Sequence, residues 1–312
     1  MVRSLQLQEP EGGSSNAEGK TGMNSILESL LAELKREVPE PDFTLLSDIY
    51  EKVIEKLSLG FDPSVLIVLD NEDAHQADIE RLKFKIKEQI VARLLGRANS
   101  VVMFGKVNSG DANSFTKVVM RMGMKPAKIY ILALGLFLLD PALEPLAGTS
   151  FSRAILGRIL AEELGFKSTA VERVEMGALL QDIGRIPAIL YEIQESTSLD
   201  EDFVSAWHPL LGLALLRKYG MPGYLEETLL HNHFSFLHRS LSPLAVIDLA
   251  DLVVKKSFAK HGKLIVESPL PDATIESTLG SSILDQFSAI GYRKYVEVRL
   301  PVEKAEGEKV RR

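Results

Sequence analysis

The 312-residue chain is predicted to be all-α, a compact orthogonal helical bundle followed by a short C-terminal appendage with room for a few strands. Three observations carry that prediction. Apolar residues recur at helical spacing through most of residues 79–259, the i, i+3, i+4, i+7 pattern of an amphipathic helix. Gly123, Pro141, Gly165, Gly184, Pro187 and Gly220 punctuate that pattern, which gives helices of ordinary globular length rather than a long coiled coil. The apolar/polar alternation of a half-buried strand is confined to YVEVRLPV (295–302),.

Taken in order, residues 1–22 are rich in Glu, Gly, Ser and Gln and short of large apolar groups, so they are expected to form a disordered leader. NSILESLLAELKREV (24–38) sets Leu27, Leu30, Leu31 and Leu34 on one face behind a capping Asn24, and Pro39 and Pro41 end it,. A second helix is expected over 44–57. PSVLIVLD (63–70) is dense in β-branched residues and reads either as a short strand or as a buried turn of helix,. Helical segments follow near 79–97, 113–122, 126–139, 150–164, 170–182, 186–193, 203–219, 223–232 and 242–259. After them come KLIVES (263–268), the helix-like IESTLGSSILDQFSAI (275–290), the alternating 295–302 and a charged tail, 303–312. The domain reading is a leader (1–22), a helical domain (23–260), an appendage (261–302) and the tail.

Composition narrows the chemistry. A net charge of −7 argues against a strong binder of phosphate backbones, which ordinarily presents a basic face, so nucleic acid is not an expected partner. Arg93, Arg97, Arg121 and Lys125 could serve a nucleotide or nucleic-acid sensor, but read more simply as solvated helix faces. Cysteine is absent, which removes disulfides, thiolate metal sites and a thiol nucleophile, and fits a reducing cytoplasm. The N-terminus lacks the apolar core of a signal peptide. The longest apolar stretch, IYILALGLFLL (129–139), is too short to span a bilayer,. The expected location is the cytoplasm, with no membrane partner.

Any metal would therefore need histidines and carboxylates. Of six histidines, His208, His231, His233 and His238 cluster after the Asp182 segment, and Asp248 and Asp251 follow on the next helix. Each also has a plain reading. His208 precedes Pro209, so it reads as a helix-start residue with Pro209 in the first turn. His231 and His233 sit where a helix end would welcome positive charge. Asp182 could bond a local N–H or pair with Arg185, and Asp248 and Asp251, three apart, could simply be solvated.

Four stretches, in this order, carry a family resemblance: RLLGRANSVVMFG (93–105), ANSFTKVVMRMGMKPAKIYILAL (112–134), GALLQDIGR (177–185) and WHPLLGLALLRKYGMPGYLEETLLHNHF (207–234). Together they resemble the HDOD domain, a degenerate relative of the HD phosphohydrolases and HD-GYP phosphodiesterases, over roughly residues 24–255. GALLQDIGR resembles the stretch in which active relatives carry a His-Asp metal-binding pair. Carried over by position, the resemblance puts the first metal-binding His at Phe151, the His-Asp pair at Gln181-Asp182, the next His at His208, a His-His pair at Asn232-His233 and the last Asp at Asp251. The Gly-Tyr-Pro loop is absent, and the Asp-Pro expected just before the ANS helix occurs only at Asp62-Pro63.

The resemblance implies an HD-like fold with a vestigial site: Phe151, Gln181, Asp182, His208, Asn232, His233 and Asp251. No catalytic residue, metal or cofactor is expected, and a single ion, if held at all, would fall to Asp182, His208, His233 and Asp251. The implied function is a non-catalytic bacterial signalling or regulatory module that binds a protein partner, with a small molecule or nucleotide as the other candidate ligand. The alternative is a residual single-metal phosphodiesterase. Asn99, Ser100, Gly184 and Gly212 would be framework residues, Gly184 allowing a positive φ after its helix and Gly212 a close helix approach.

Overall fold

The computed structural model describes residues 43–98, 113–231, 241–262, 265–266 and 296–297. The chain divides into two compact units, residues 1–48 and 49–312. In the first, the described residues begin helix α1 (Phe43–Ile49), at whose last residue the second unit starts. The leader, the 24–38 segment, Asn99, Ser100, Asn232, His233, the 275–290 segment and the charged tail lie outside the described residues.

The second unit continues through a π-helical turn (Tyr50–Ile54), α2 (Ser64–Asp70), α3 (Gln76–Leu82), α4 (Glu88–Ala98), α5 (Phe115–Met122), α6 (Met124–Phe137), α7 (Glu144–Glu163) and α8 (Ser168–Leu180). Then come α9 (Arg185–Glu195), α10 (Glu201–Lys218), α11 (Gly223–His231) and α12 (Pro243–His261). Among the described residues strand structure is limited to β1 (Ile265–Val266) and β2 (Val296–Glu297). They pair antiparallel, with Ile265 opposite Glu297 and Val266 opposite Val296. The fold is all-α, and the appendage adds a short two-stranded pairing, as the alternation at 295–302 suggested.

Local chemistry explains where the helices differ from expectation. PSVLIVLD resolves as helix, since Asp62 Oδ1 accepts from the Ser64 N–H at 2.8 Å and opens α2 like a cap,. The 79–97 segment is not one helix. It breaks after Leu82 into a 3₁₀ turn (Lys83–Lys85), and Ile86 then turns extended to bridge Phe61. The helix at 44–57 gives way to π geometry at Tyr50.

Helix α10 corrects the reading of Pro209, which lies in mid-helix rather than in the first turn. The start is fixed earlier, where the Asp200 carboxylate accepts from the Asp202 N–H at 3.1 Å and Glu201 and Asp202 face the positive end of the dipole,. A proline there has no N–H to give the Ser205 carbonyl. His208 Nδ1 stands 3.1 Å from that carbonyl and 3.1 Å from Val204 O.

Helix α6 is buried on every side from Pro126 to Phe137. One apolar cluster joins α7, α8 and α12 through Ile155, Leu156, Leu160, Val171, Val174, Ala178, Val246, Ile247, Ala250 and Val254. Burial of this kind contributes about 25 cal/mol per Å² of apolar surface, and it fixes the three helices that carry the candidate site. No helix among the described residues is long and apolar enough to cross a membrane.

Candidate functional site

Helix α7 runs Ser150-Phe151-Ser152-Arg153-Ala154 through the interior, all of it buried. Arg153 is the one charged residue in that run, and it is 1% exposed. Such a cation needs anionic and carbonyl partners to be tolerated. It finds three. Nε donates to the Ala178 carbonyl at 2.7 Å, and Nη1 donates to Asp182 Oδ2 at 2.7 Å and to Asp251 Oδ1 at 2.5 Å. One guanidinium nitrogen thus holds the carboxylates of two different helical segments, the end of α8 and the middle of α12.

Asp182 is further placed by the approach of α9 to α10. A Cβ on Gly184 would lie 1.6 Å from the His208 carbonyl oxygen and 2.5 Å from the Gly212 nitrogen. Gly184 is at φ −71°, so the expected positive φ is corrected. Its missing side chain serves backbone proximity instead. Gly212 has the expected role, with Gly184 N 3.2 Å from the place its Cβ would take. This crossing sets His208 Nε2 at 3.5 Å from Asp182 Oδ1. Since Nδ1 faces carbonyl acceptors, that nitrogen carries a proton.

Burial pushes the Asp182 carboxyl upward. The Arg153 charge, the His208 ring beside it and the Arg153 hydrogen bond outweigh that and hold it well below its ordinary value of 3.8,. Burial likewise opposes the charge on Arg153, and Asp182 and Asp251 more than restore it. Asp251 shares its other oxygen with Lys255 Nζ at 2.7 Å, one helical turn on.

Three of the positions singled out in the sequence therefore meet: Asp182, His208 and Asp251. Phe151 stands apart from them chemically. Its ring packs on Tyr130 and Phe137, with centroids 6.2 and 5.7 Å apart, in an aromatic cluster. Gln181 is 1% exposed, and neither polar atom of its amide has a hydrogen-bond partner among the described residues. Asn232 and His233 lie outside the described residues. Asp182 pairs with Arg153 rather than Arg185, whose Nη1 reaches Glu201 at 2.8 Å. Asp251 is buried rather than solvated, and Asp248 Oδ2 lies 3.5 Å from His231 Nε2.

Arg153 escaped the sequence reading, although a lone cation within a small-residue, apolar helical run was its signal. A second buried network was also missed. Arg97, expected on a solvated face, is 3% exposed and pairs with Glu175. The Tyr130 hydroxyl donates to Glu175 Oε1 at 2.6 Å, and Arg158 Nη1 reaches Glu175 Oε2 at 2.8 Å. Burial raises the Glu175 carboxyl, and the charges of Arg97 and Arg158 outweigh it, so the net direction is down. Burial holds the Tyr130 phenol well above its ordinary value.

A divalent ion needs carboxylate oxygens that point at an open position. Here the two carboxylates point at a fixed guanidinium, and a second cation beside it would be repelled at short range in a low-dielectric interior. As placed, these residues do not fit a metal ion. Among the described residues no three His, Asp or Glu side chains form a group that could hold one.

Comparison with known proteins gives a match to the HDOD domain over residues 64–234. Among solved structures, the chain is similar to a candidate metal-dependent phosphohydrolase of Shewanella amazonensis, at 19% identity and a TM-score of 0.53, covering 80% of this chain and 97% of that one. It is also similar to an HDOD domain protein of unknown function from Geobacter sulfurreducens, at 17% identity and a TM-score of 0.46, covering 79% and 97%. A comparison with curated proteins gives no match.

Proposed function

The chain belongs to the HDOD domain family, and from that premise we propose that it is a non-catalytic regulatory module of a bacterial cytoplasmic signalling pathway, which acts by binding a protein partner. One observation carries the non-catalytic half of the reading. The Arg153 guanidinium spans Asp182 and Asp251, so the carboxylates that would orient a metal-bound water are neutralised from within the chain. Phe151, packed among aromatic rings, offers no ligand atom, and Gln181 offers only a neutral amide in place of an imidazole. With its interior charges satisfied, such a domain is left with its surface as the working part. Exposed Ile67, Phe84 and Met120 are apolar contacts that a protein partner could cover,.

The test uses the purified full chain. Incubation with cyclic di-GMP and with a generic phosphodiester, in the presence of Mn²⁺ or Fe²⁺, is expected to give no turnover above buffer. Affinity capture from native cytoplasm is expected to retain a defined protein. Metal-dependent hydrolysis that disappears in Asp182→Asn would overturn the reading in favour of a phosphohydrolase.

A further inference from the structure

We infer that the outer face of α2 is a contact between two copies of this chain, which meet antiparallel about a two-fold axis at Ile67. Val65, Leu66 and Leu69 bury the inner face of that helix, while Ile67 is 70% exposed. Ser64, Ile67 and Asn71 are related as i, i+3 and i+7 and so line one side. Beside the first turn of α2 stands the 3₁₀ turn Lys83–Lys85, which presents Phe84 at 89% exposure. The two are fixed to each other. Lys85 Nζ donates to Ser64 Oγ at 2.8 Å, the Asp62 N–H donates to the Lys85 carbonyl at 2.9 Å, and the Lys87 N–H donates to the Gly60 carbonyl at 2.7 Å. A ring and a branched aliphatic chain are thus held in water on a firm platform, where they forgo the stabilisation of burial.

Charge identifies what covers them. Lys83, Lys85 and Lys87 gather at the start of α2, all exposed, and neither Lys83 nor Lys87 forms an ion pair among the described residues. The stem of Lys87 lies across Gly60, its Cδ 2.9 Å from the place a Cβ would take. Asp62 and Glu88 offset part of this charge, and Arg81 has its own acid in Asp78 at 3.7 Å. Asp70, Glu72 and Asp73 lie at the other end of the helix. Asp70 pairs with Lys128, and Glu72 is 83% exposed with Lys125 Nζ at 3.3 Å. Asp73 is exposed and forms no ion pair among the described residues. The exposed line of α2 therefore runs from a basic end to an acidic end, about 10 Å apart, with Ile67 between them.

Such a surface complements itself. A two-fold axis through Ile67 sets the basic end of each copy against the acidic end of the other, as an isologous contact requires. Ile67 then meets Ile67 of the second copy, and Phe84 comes over the half-buried Val68 of that copy. An anionic bilayer or a nucleic-acid strand would be drawn to Lys83 and Lys87 but repelled by Glu72 and Asp73, whereas the same surface turned over is attracted at both ends. The inference goes beyond the non-catalytic reading and does not need it: turnover decides that reading, and the mass of the protein in solution decides this one.

The experiment is sedimentation of the full chain over a concentration series, at an ionic strength of about 0.15 M so that only charges within the contact act. A contact built on one short helix and a turn makes a weak, reversible dimer, half-formed at about 100 µM or below. Ile67→Glu and Phe84→Ser are each expected to weaken it at least about tenfold. Lys83→Glu with Lys87→Glu, and Glu72→Lys with Asp73→Lys, should each be monomeric alone and dimerise when mixed. All these side chains are exposed, and unchanged circular dichroism confirms that the variants fold. Because the chain has no cysteine, a single introduced thiol reports on its own neighbours. Ile67→Cys, on the axis, should give a disulfide-linked dimer on mild oxidation, and Ile193→Cys, exposed on α9, should not. A wild type still monomeric at about 500 µM would overturn the inference, whatever else then covers Ile67 and Phe84. So would a dimer that Ile67→Glu leaves intact, or charge-reversed variants that fail to associate on mixing.

Discussion

Gly184 meets His208 backbone to backbone: a single added carbon at Gly184 would stand 1.6 Å from the His208 carbonyl oxygen. The obstacle is main chain in the middle of α10, so no rotamer change relieves it. Gly184→Ala is expected to destabilise by more than about 3 kcal/mol, since overpacking against backbone forces two helices apart. Gly165 is the control. It has φ +74° with nothing within 4 Å, so Gly165→Ala should cost only the strain of the left-handed conformation, about 1 kcal/mol. Chemical denaturation of the two variants checks the contrast.

The buried ion pairs separate Asp251 from Asp248, two acids one turn apart on α12. Asp251→Asn strips Arg153 of one of its two anions and should destabilise by about 3 kcal/mol, because a buried charge loses its counter-ion. Asp248→Asn touches a partly exposed pair with His231 at 3.5 Å and should cost less than about 1 kcal/mol. Lys255→Ala belongs with the second group, its side chain being 62% exposed. Equal losses for Asp251→Asn and Asp248→Asn would show that the Arg153 pairing adds nothing.

How much of this was legible in the sequence follows from what each signal reports. Helical periodicity is local, so most helices from residue 113 onward were readable to within a few residues and the alternation at 295–302 located β2, whereas the helix at 63–70, the break at Lys83–Lys85 and the start of α7 at Glu144 were not. Asp182, His208 and Asp251 were found through the order of motifs, and they do converge. Arg153 was not, because its partner Asp251 lies 98 residues away and no local pattern names a partner at that distance. The Pro209 error has a similar origin. A proline looks like a helix start when only its neighbours are read, whereas Asp200 had already opened the helix. Gly184 shows the limit most sharply: the residue was rightly singled out, but for a backbone angle it does not have.

Acid should unfold the protein through its depressed carboxyls. Asp182 and Glu175 both titrate below their ordinary values of 3.8 and 4.5 in the folded state. A carboxyl whose folded pKa is lowered contributes stability that is fully present above the unfolded value and is lost as pH falls towards the folded one. The thermal midpoint should therefore be flat from neutral pH down to about 5 and fall steeply below about 4. Asp182→Asn and Glu175→Gln should each start lower and fall less steeply. A wild-type midpoint that begins to fall near pH 6 would point to histidine titration instead.

The Tyr130 hydroxyl donates to Glu175 and lies 2.6 Å from the Arg97 Nε that donates to it. Tyr130→Phe keeps the ring stacked on Phe151 and removes only the oxygen, leaving Arg97 and Glu175 short of a partner each. The expected loss is about 1–3 kcal/mol in denaturant unfolding, the usual range for a buried network missing one member. Far-ultraviolet circular dichroism should be unchanged.

The relation of His208 to Pro209 can be read by a double-mutant cycle. Pro209 leaves the Ser205 carbonyl without its helical donor, and His208 Nδ1 stands 3.1 Å from that oxygen. In the wild type, His208→Ala removes the substitute donor as well as the contact with Asp182. In a Pro209→Ala background the backbone N–H at position 209 can reach the same carbonyl, so removing the imidazole forfeits less. The two losses are expected to differ by about 1 kcal/mol, the net worth of one buried hydrogen bond. A coupling of zero would mean that Nδ1 answers to Val204 alone and that the proline has no part in orienting the ring towards Asp182.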